Sequence, residues 1–222
     1  MAFPLIVSFY TKNSQYVEVA QQRLIQTCKE QGLEYDVRGI DGTGNWVRNC
    51  AKKGGFVLEM LRLHKRPVLW VDCDAEIVAP LPFFENLDER CDLSAHVIWL
   101  RNHRPPTMAK PSTRMLSGTV YINHTPAGLR VAKMWADLCE KAPNRWDQKH
   151  LAQTWWNLKD EIRFVLMPQA YCKIYDRIWR EGRDKSKWVP RIVHYQASRK
   201  LRKGRKRRRP SKLTVRRKRT KR

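Results

Sequence analysis

Two carboxylates one residue apart close an apolar run, Pro67-Val68-Leu69-Trp70-Val71-Asp72-Cys73-Asp74-Ala75-Glu76-Ile77. Four apolar residues after a proline, with no room for a helical turn before the acids, predict a buried strand of a mostly parallel sheet. Asp72 and Asp74 then stand at its carboxyl end. In open α/β sheets that edge is where ligands bind, and two carboxylates placed there repel each other unless a cation or a proton lies between them. Residues i and i+2 of a strand share a face, so both acids are expected to reach one hard divalent cation, with magnesium or manganese suited to the spacing. The plainer reading, that the acids cap a following helix, leaves little helix to cap, because Pro80 and Pro82 precede Phe83.

The neighbouring segments must hold that edge in place. Residues 4–11 read as a first strand, followed by a helix with Ser14 as N-cap, apolar residues at helical spacing (Tyr16, Val17, Ala20, Leu24, Cys28) and Gly32 as its end. Residues 34–40 read as a second strand, so the three form a right-handed βαβ unit whose carboxyl-end loops carry Phe9, Tyr10, Thr11 and Asp41. Gly54 and Gly55 weaken any helix start before them, which predicts an apolar helix over 56–63 preceded by a basic stretch with Arg48, Lys52 and Lys53. Residues 93–99 read as a strand. The irregular Pro-rich connection after it carries Arg101, Arg104, Lys110 and Arg114 without acidic neighbours, a candidate lid or acceptor-contacting loop. Residues 115–123 read as a strand opened by Ser117-Gly118-Thr119, where glycine permits close approach of a ligand. Thr125 and Pro126 start an amphipathic helix (Val131, Met134, Trp135, Leu138) expected only to pack. Asp147 stands at another helix start, followed by Gln148, and a short strand ends in His194. Trp155, Trp156 and Trp188 are expected in the core, with stacking on a flipped-out base as the alternative.

At 222 residues and 42% hydrophobic content the chain suits one α/β domain with a substantial core. No stretch approaches the roughly 20 apolar residues of a membrane span, and the first ten residues are unlike a secretory signal, so a cytoplasmic location is expected, the host cytoplasm if the chain is viral. Six scattered cysteines with no CxxC spacing argue against a zinc module or a disulfide framework. The net charge is +24, unevenly spread: residues 197–222 hold 16 basic residues and no acid, leaving 29 basic and 21 acidic residues, a net of +8, for the rest. With almost nothing apolar to bury, residues 201–222 are expected to form a disordered polybasic tail, including Arg205, Lys206, Arg207, Arg208 and Arg209, attached to a domain over 1–200. Such a tail releases counterions from a nucleic-acid backbone, so DNA or RNA is the expected partner, contacted also by Arg101 and Arg104.

The phrase Val-Leu-Trp-Val-Asp-Cys-Asp-Ala-Glu-Ile-Val over 68–78 resembles the DxD segment of GT-A-type glycosyltransferases, which use nucleotide-diphosphate sugars. Three further segments match the family in order: Ser117-Gly118-Thr119, Asp147-Gln148, and the histidine followed by basic residues at 194–200. The resemblance implies a single GT-A (Rossmann-like) domain with a mixed, mostly parallel sheet flanked by helices. It implies a metal, manganese rather than magnesium for an imidazole ligand, held by Asp72, Asp74 and His194. It further implies a donor, a UDP-sugar by preference, contacted by Phe9, Tyr10, Thr11, Asp41, Arg48, Lys53, Asp72, Ser117, Gly118, Arg199 and Lys200. Asp147 and Gln148 would be catalytic, Asp147 as base or sugar-orienting group. The family's usual glycine and Lys-Pro-Trp ending are replaced by Ser198 and Lys200-Leu201. A small basic transferase with a polycationic extension also resembles viral (bacteriophage) enzymes that attach sugars to hydroxymethylated pyrimidines in DNA, such as hydroxymethylcytosine. Two alternatives stand beside it: transfer to saccharide, lipid or protein with the tail on an anionic membrane surface, and a non-catalytic nucleic-acid-binding protein on a transferase fold.

Overall fold

The computed structural model describes residues 3–99, 113–174 and 189–198. The expected basic tail, Arg101, Arg104, Lys110, Trp188, Arg199 and Lys200 lie outside the described residues. Strand β1 (Leu5–Thr11) leads into α1 (Tyr16–Ala20), a π-helical turn (Gln21–Ile25) and α2 (Gln26–Glu30), which run on as one helix with helical backbone angles at each junction. Gln15, not Ser14, takes the N-cap position. The Ser14 hydroxyl is one residue further out, donating to the Thr11 carbonyl (2.6 Å) while accepting from the Tyr16 N–H (3.2 Å). At the other end Gly32, with φ of 63°, lets Leu33 N–H reach the Cys28 carbonyl and Gly32 N–H reach that of Lys29. Strand β2 (Tyr35–Ile40) then pairs parallel with β1.

Helix α3 (Trp46–His64) corrects the expectation of a helix confined to 56–63. It starts ten residues earlier, where the Asn45 side chain caps the N–H groups of Val47 and Arg48, and it runs straight through both glycines. The reason is packing. A Cβ on Gly54 would lie 2.9 Å from backbone atoms of Trp135 and Ala136, in α5 (Pro126–Lys141), so the glycine marks where two helices touch backbone to backbone. Gly54→Ala is expected to destabilise the fold by about 1–3 kcal/mol through overpacking, measured by denaturant unfolding, although alanine is the better helix former. A neutral or stabilising result would show that the crossing relaxes.

The central sheet has the order β2-β1-β3-β6-β5-β7, with β3 (Val68–Val71), β5 (Leu93–Trp99), β6 (Thr113–Ile122) and β7 (Phe164–Leu166). Five strands run one way and β6 runs against both neighbours, so the sheet is mixed and mostly parallel, as expected. A second sheet joins β4 (Ala75–Ile77), β9 (Ile192–His194) and β8 (Lys173–Ile174). Alternation along the strands makes two cores. Leu5, Val7, Val68 and Trp70 face α3, α5 and α6 (Asp147–Leu158), while Ile6, Leu69 and Val71 face Leu24, Cys28 and the second sheet. The short α4 (Pro82–Glu85) closes the latter core with Phe84.

Candidate functional site

Strand β3 ends at Val71, so Asp72 and Asp74 do not share a strand face as the i, i+2 argument expected. They stand in a tight turn, closed by Ala75 N–H on the Asp72 carbonyl (2.9 Å), which bends the chain from one sheet into the other. The turn brings both acids to the carboxyl edge of β3 and opposite His194 at the end of β9, with ligand atoms of the three within 4.8 Å of one another. His194 is fully buried, and burial pushes its pKa down to about 4 against the pull of the Asp72 carboxylate. Its tautomer follows from its partners. The Thr119 hydroxyl donates to the Tyr171 carbonyl (2.7 Å), so its oxygen accepts from His194 Nε2–H (2.9 Å). The lone pair of Nδ1 is left buried without a partner. A Cβ on Gly118 would fall 2.9 Å from His194 Cε1, 3.1 Å from Nδ1 and 3.4 Å from Asp72 Oδ2, so this glycine keeps open the space that those three atoms face. Burial and the Asp72 carboxylate together push Asp74 up to about 6, against the Ala197 N–H that binds its Oδ2. An orphaned imidazole nitrogen, two converging carboxylates and a gap kept by glycine fit a divalent cation.

Lys53 ties this cluster to the start of α6. Its ammonium donates to Asp72 Oδ1 (2.8 Å) and to the Ser117 carbonyl (2.9 Å), and it forms an ion pair with Asp147 Oδ2 at 3.0 Å. Burial opposes its charge, and the Asp147 and Asp72 carboxylates more than offset that, holding its pKa above the ordinary value. Asp147 also accepts from the Ser117 hydroxyl (2.6 Å), and its carbonyl accepts from Trp135 Nε1 (3.1 Å). Helix α5, expected only to pack, therefore fixes the first residue of α6. Ser117 and Gly118 lie within β6 rather than in a turn before it, where the register against β5 slips between Ala95 and Val97. Asp72 N–H donates to the Gly118 carbonyl (2.8 Å), continuing the β3–β6 ladder one residue past the Val71–Thr119 pair, and the neighbouring Ser117 carbonyl takes Lys53.

A cleft of about 350 Å³ collects these groups. Of the sequence-derived residues it is lined by Phe9, Tyr10, Thr11, Lys53, Asp72, Asp74, Ser117, Gly118, Asp147, Gln148 and His194. Asp41 and Arg48 are not in its wall: the Asp41 carboxylate is exposed beside Lys12, and Arg48 Nε binds the Asn144 side chain (2.9 Å). Sequence reasoning missed Tyr16, Trp46, Asn49, Cys50 and Trp146 as lining residues, whereas Arg114, expected on an acceptor-contacting loop, lines the cleft from the start of β6. Trp46, Asn49, Cys50 and Lys53 are spaced as one helical face, a signal visible once Asn45 is taken as the cap. All six cysteines are free.

No family model matches the chain, and no curated protein matches it in sequence. Solved structures do match. A glycosyltransferase involved in the glycosylation of the major capsid of PBCV-1 superposes with a TM-score of 0.59 at 15% identity, covering 92% of this chain and 100% of that one. The glycosyltransferase GlyE of Streptococcus pneumoniae TIGR4 gives 0.49 at 15% identity over 88% of this chain and 55% of its own, and mouse xyloside xylosyltransferase 1 gives 0.47 at 12% over 88% and 98%. The chain therefore has a fold found among glycosyltransferases. Among the described residues no helix is long and apolar enough to cross a membrane.

Proposed function

We propose that the chain is a metal-dependent glycosyltransferase that moves a sugar from a nucleotide-diphosphate donor to a hydroxyl acceptor. The observation that carries this reading is the meeting of Asp72, Asp74 and the unpaired Nδ1 of His194 in a cleft at the carboxyl end of β3. The glycosyltransferase fold supports it. A manganese or magnesium ion bound by these three residues would supply the charge that holds a donor's phosphates and stabilises a departing diphosphate. The protein's own residues do the rest. Thr119 holds His194 in the tautomer that offers Nδ1, and Gly118 leaves room beside it. Phe9, Tyr10, Thr11, Tyr16 and Trp46 wall the cleft on the β1 side, where a UDP-sugar would place its nucleoside. Lys53 and Ser117 orient the Asp147 carboxylate, which takes the proton of the acceptor hydroxyl or orients the sugar.

The leading acceptor is a 5-hydroxymethylpyrimidine in DNA. Its support is charge: a net +24, with 16 basic residues between 197 and 222, favours a polyanionic partner bound without regard to sequence. Reaching a base in a duplex requires flipping it out. In this reading residues 1–200 form the catalytic domain and 201–222 the DNA-binding tail. The test is mass spectrometry of nucleosides from hydroxymethylcytosine- or hydroxymethyluracil-containing duplex DNA, incubated with protein, manganese and a panel of nucleotide sugars. A hexose or pentose mass gain supports the full reading. Sugar-nucleotide turnover without a gain on DNA keeps the transferase and moves the acceptor to saccharide, lipid or protein. DNA binding without turnover would make the chain a non-catalytic binder.

A further inference from the structure

We propose that Trp146 is the stacking platform for the acceptor and that it receives an unstacked nucleobase on the ring face away from the Arg114 guanidinium. Its place in the reaction rests on the transferase reading above. Trp146 is the N-cap residue of α6 and the immediate neighbour of Asp147. Its carbonyl accepts from Lys149 and His150 N–H, which fixes the backbone, while the residue remains 43% exposed and lines the cleft. A large ring of that kind, bolted at its backbone and open at its side chain, offers contact area at little cost in ordering. The Arg114 guanidinium lies over one face of the ring, 5.9 Å from its centroid. With the Gln148 amide turned to satisfy both groups, the Gln148 oxygen accepts from Arg114 Nε (2.8 Å) and Nη2 (3.1 Å), so the guanidinium is oriented at the mouth of the cleft.

Topology assigns this corner to the acceptor. β1 and β6 lie on opposite sides of β3, so the aromatic wall at Tyr10 and Trp46 and the corner at Arg114 and Trp146 flank Asp72 from two sides. With the donor's nucleoside on the β1 side, the open ring at Trp146 is left beside Asp147, where the acceptor hydroxyl must arrive. An indole face accepts either a base or a sugar ring. The charge decides between them, because a guanidinium over the ring's other face and a net +24 on the chain match a phosphate-linked base and give no advantage to a neutral sugar.

The test uses full-length protein labelled with ¹⁵N at tryptophan indoles, the Trp146 resonance being assigned with Trp146→Phe. It is titrated with a trinucleotide carrying a central 5-hydroxymethylcytosine, in about 0.3 M salt to suppress non-specific phosphate binding, and separately with methyl β-glucopyranoside. The Trp146 resonance is expected to shift with the trinucleotide. Trp146→Ala should weaken its binding roughly 5- to 150-fold, with Trp146→Phe recovering part of the loss. A shift with the glucoside but not the trinucleotide, or with neither, overturns the proposal. Manganese-dependent turnover of a UDP-sugar by the unaltered protein is read separately. If it is absent while the trinucleotide still shifts Trp146, the transferase reading fails and the base-binding platform stands.

Discussion

Replacing Asp72 and Asp74 by asparagine is expected to lower sugar-nucleotide turnover roughly 10⁴-fold, because a bound metal ion supplies several kcal/mol of stabilisation to a departing anion. Asparagine preserves volume and an acceptor oxygen for Trp70 Nε1, which bonds Asp72 Oδ1 at 2.9 Å, so the fold should survive the change. What it removes is charge, and with it the affinity for manganese measured by titration calorimetry. Gly118→Ala makes the complementary test, since it keeps all three ligand residues but pushes a methyl group into the space they face, with its Cβ 2.9 Å from His194 Cε1. Manganese affinity is expected to fall at least about tenfold there too, as a displaced ligand loses its geometry. If the asparagine variant keeps metal-stimulated turnover, these residues are not the metal centre.

The fold was legible in the sequence where local chemistry and tertiary demand agree. The run Val68–Val71 is β-prone, apolar and bounded by a proline and two acids, and it became the buried central strand beside β1 and β6. Thr125 and Pro126 carry their own start signal and cap α5 as read. The errors fall where a residue's choice answers to a distant partner. Gly54 looks like a helix breaker until α5 is packed against it, and Ser117-Gly118 looks like a turn until Lys53 and His194 are brought to its backbone and side. The same holds for the site. Asp72 and Asp74 were marked by type and spacing, and His194 and Asp147 by the family resemblance; the four line one cleft, but nothing local marks Lys53 as the group that joins Asp72 to Asp147 across 19 and 94 residues of chain. Arg48 and Lys52 offer the same charge nearby on the same helix, and only its turn selects Lys53, the buried one.

That selection carries the second large effect. Lys53→Met is expected to destabilise the protein by about 3 kcal/mol, at the low end for removing one partner of a buried ionic network, because Asp72 retains enough solvent contact to recover part of its hydration. For a chain of this size the melting temperature should fall by about 6–12 °C. The loss has two parts: Asp147 and Asp72 keep their charges without a cation between them, and the Ser117 carbonyl loses its donor. Asp147→Asn alone should lower turnover by about 10²–10⁴ with the fold retained, if its carboxylate handles the acceptor proton. Combined with Lys53→Met it removes one of the two stranded charges, so the double variant is expected to be more stable than Lys53→Met by about 1–3 kcal/mol, a coupling that additive effects cannot produce. Its turnover should remain as low as that of Asp147→Asn. Stability recovered without activity would separate the two tasks of this corner: Lys53 holds two carboxylates together, and the Asp147 charge that makes that necessary is the one the chemistry uses. Additive stabilities would mean that Lys53 answers to Asp72 alone, and Asp147 would lose its tie to the metal centre.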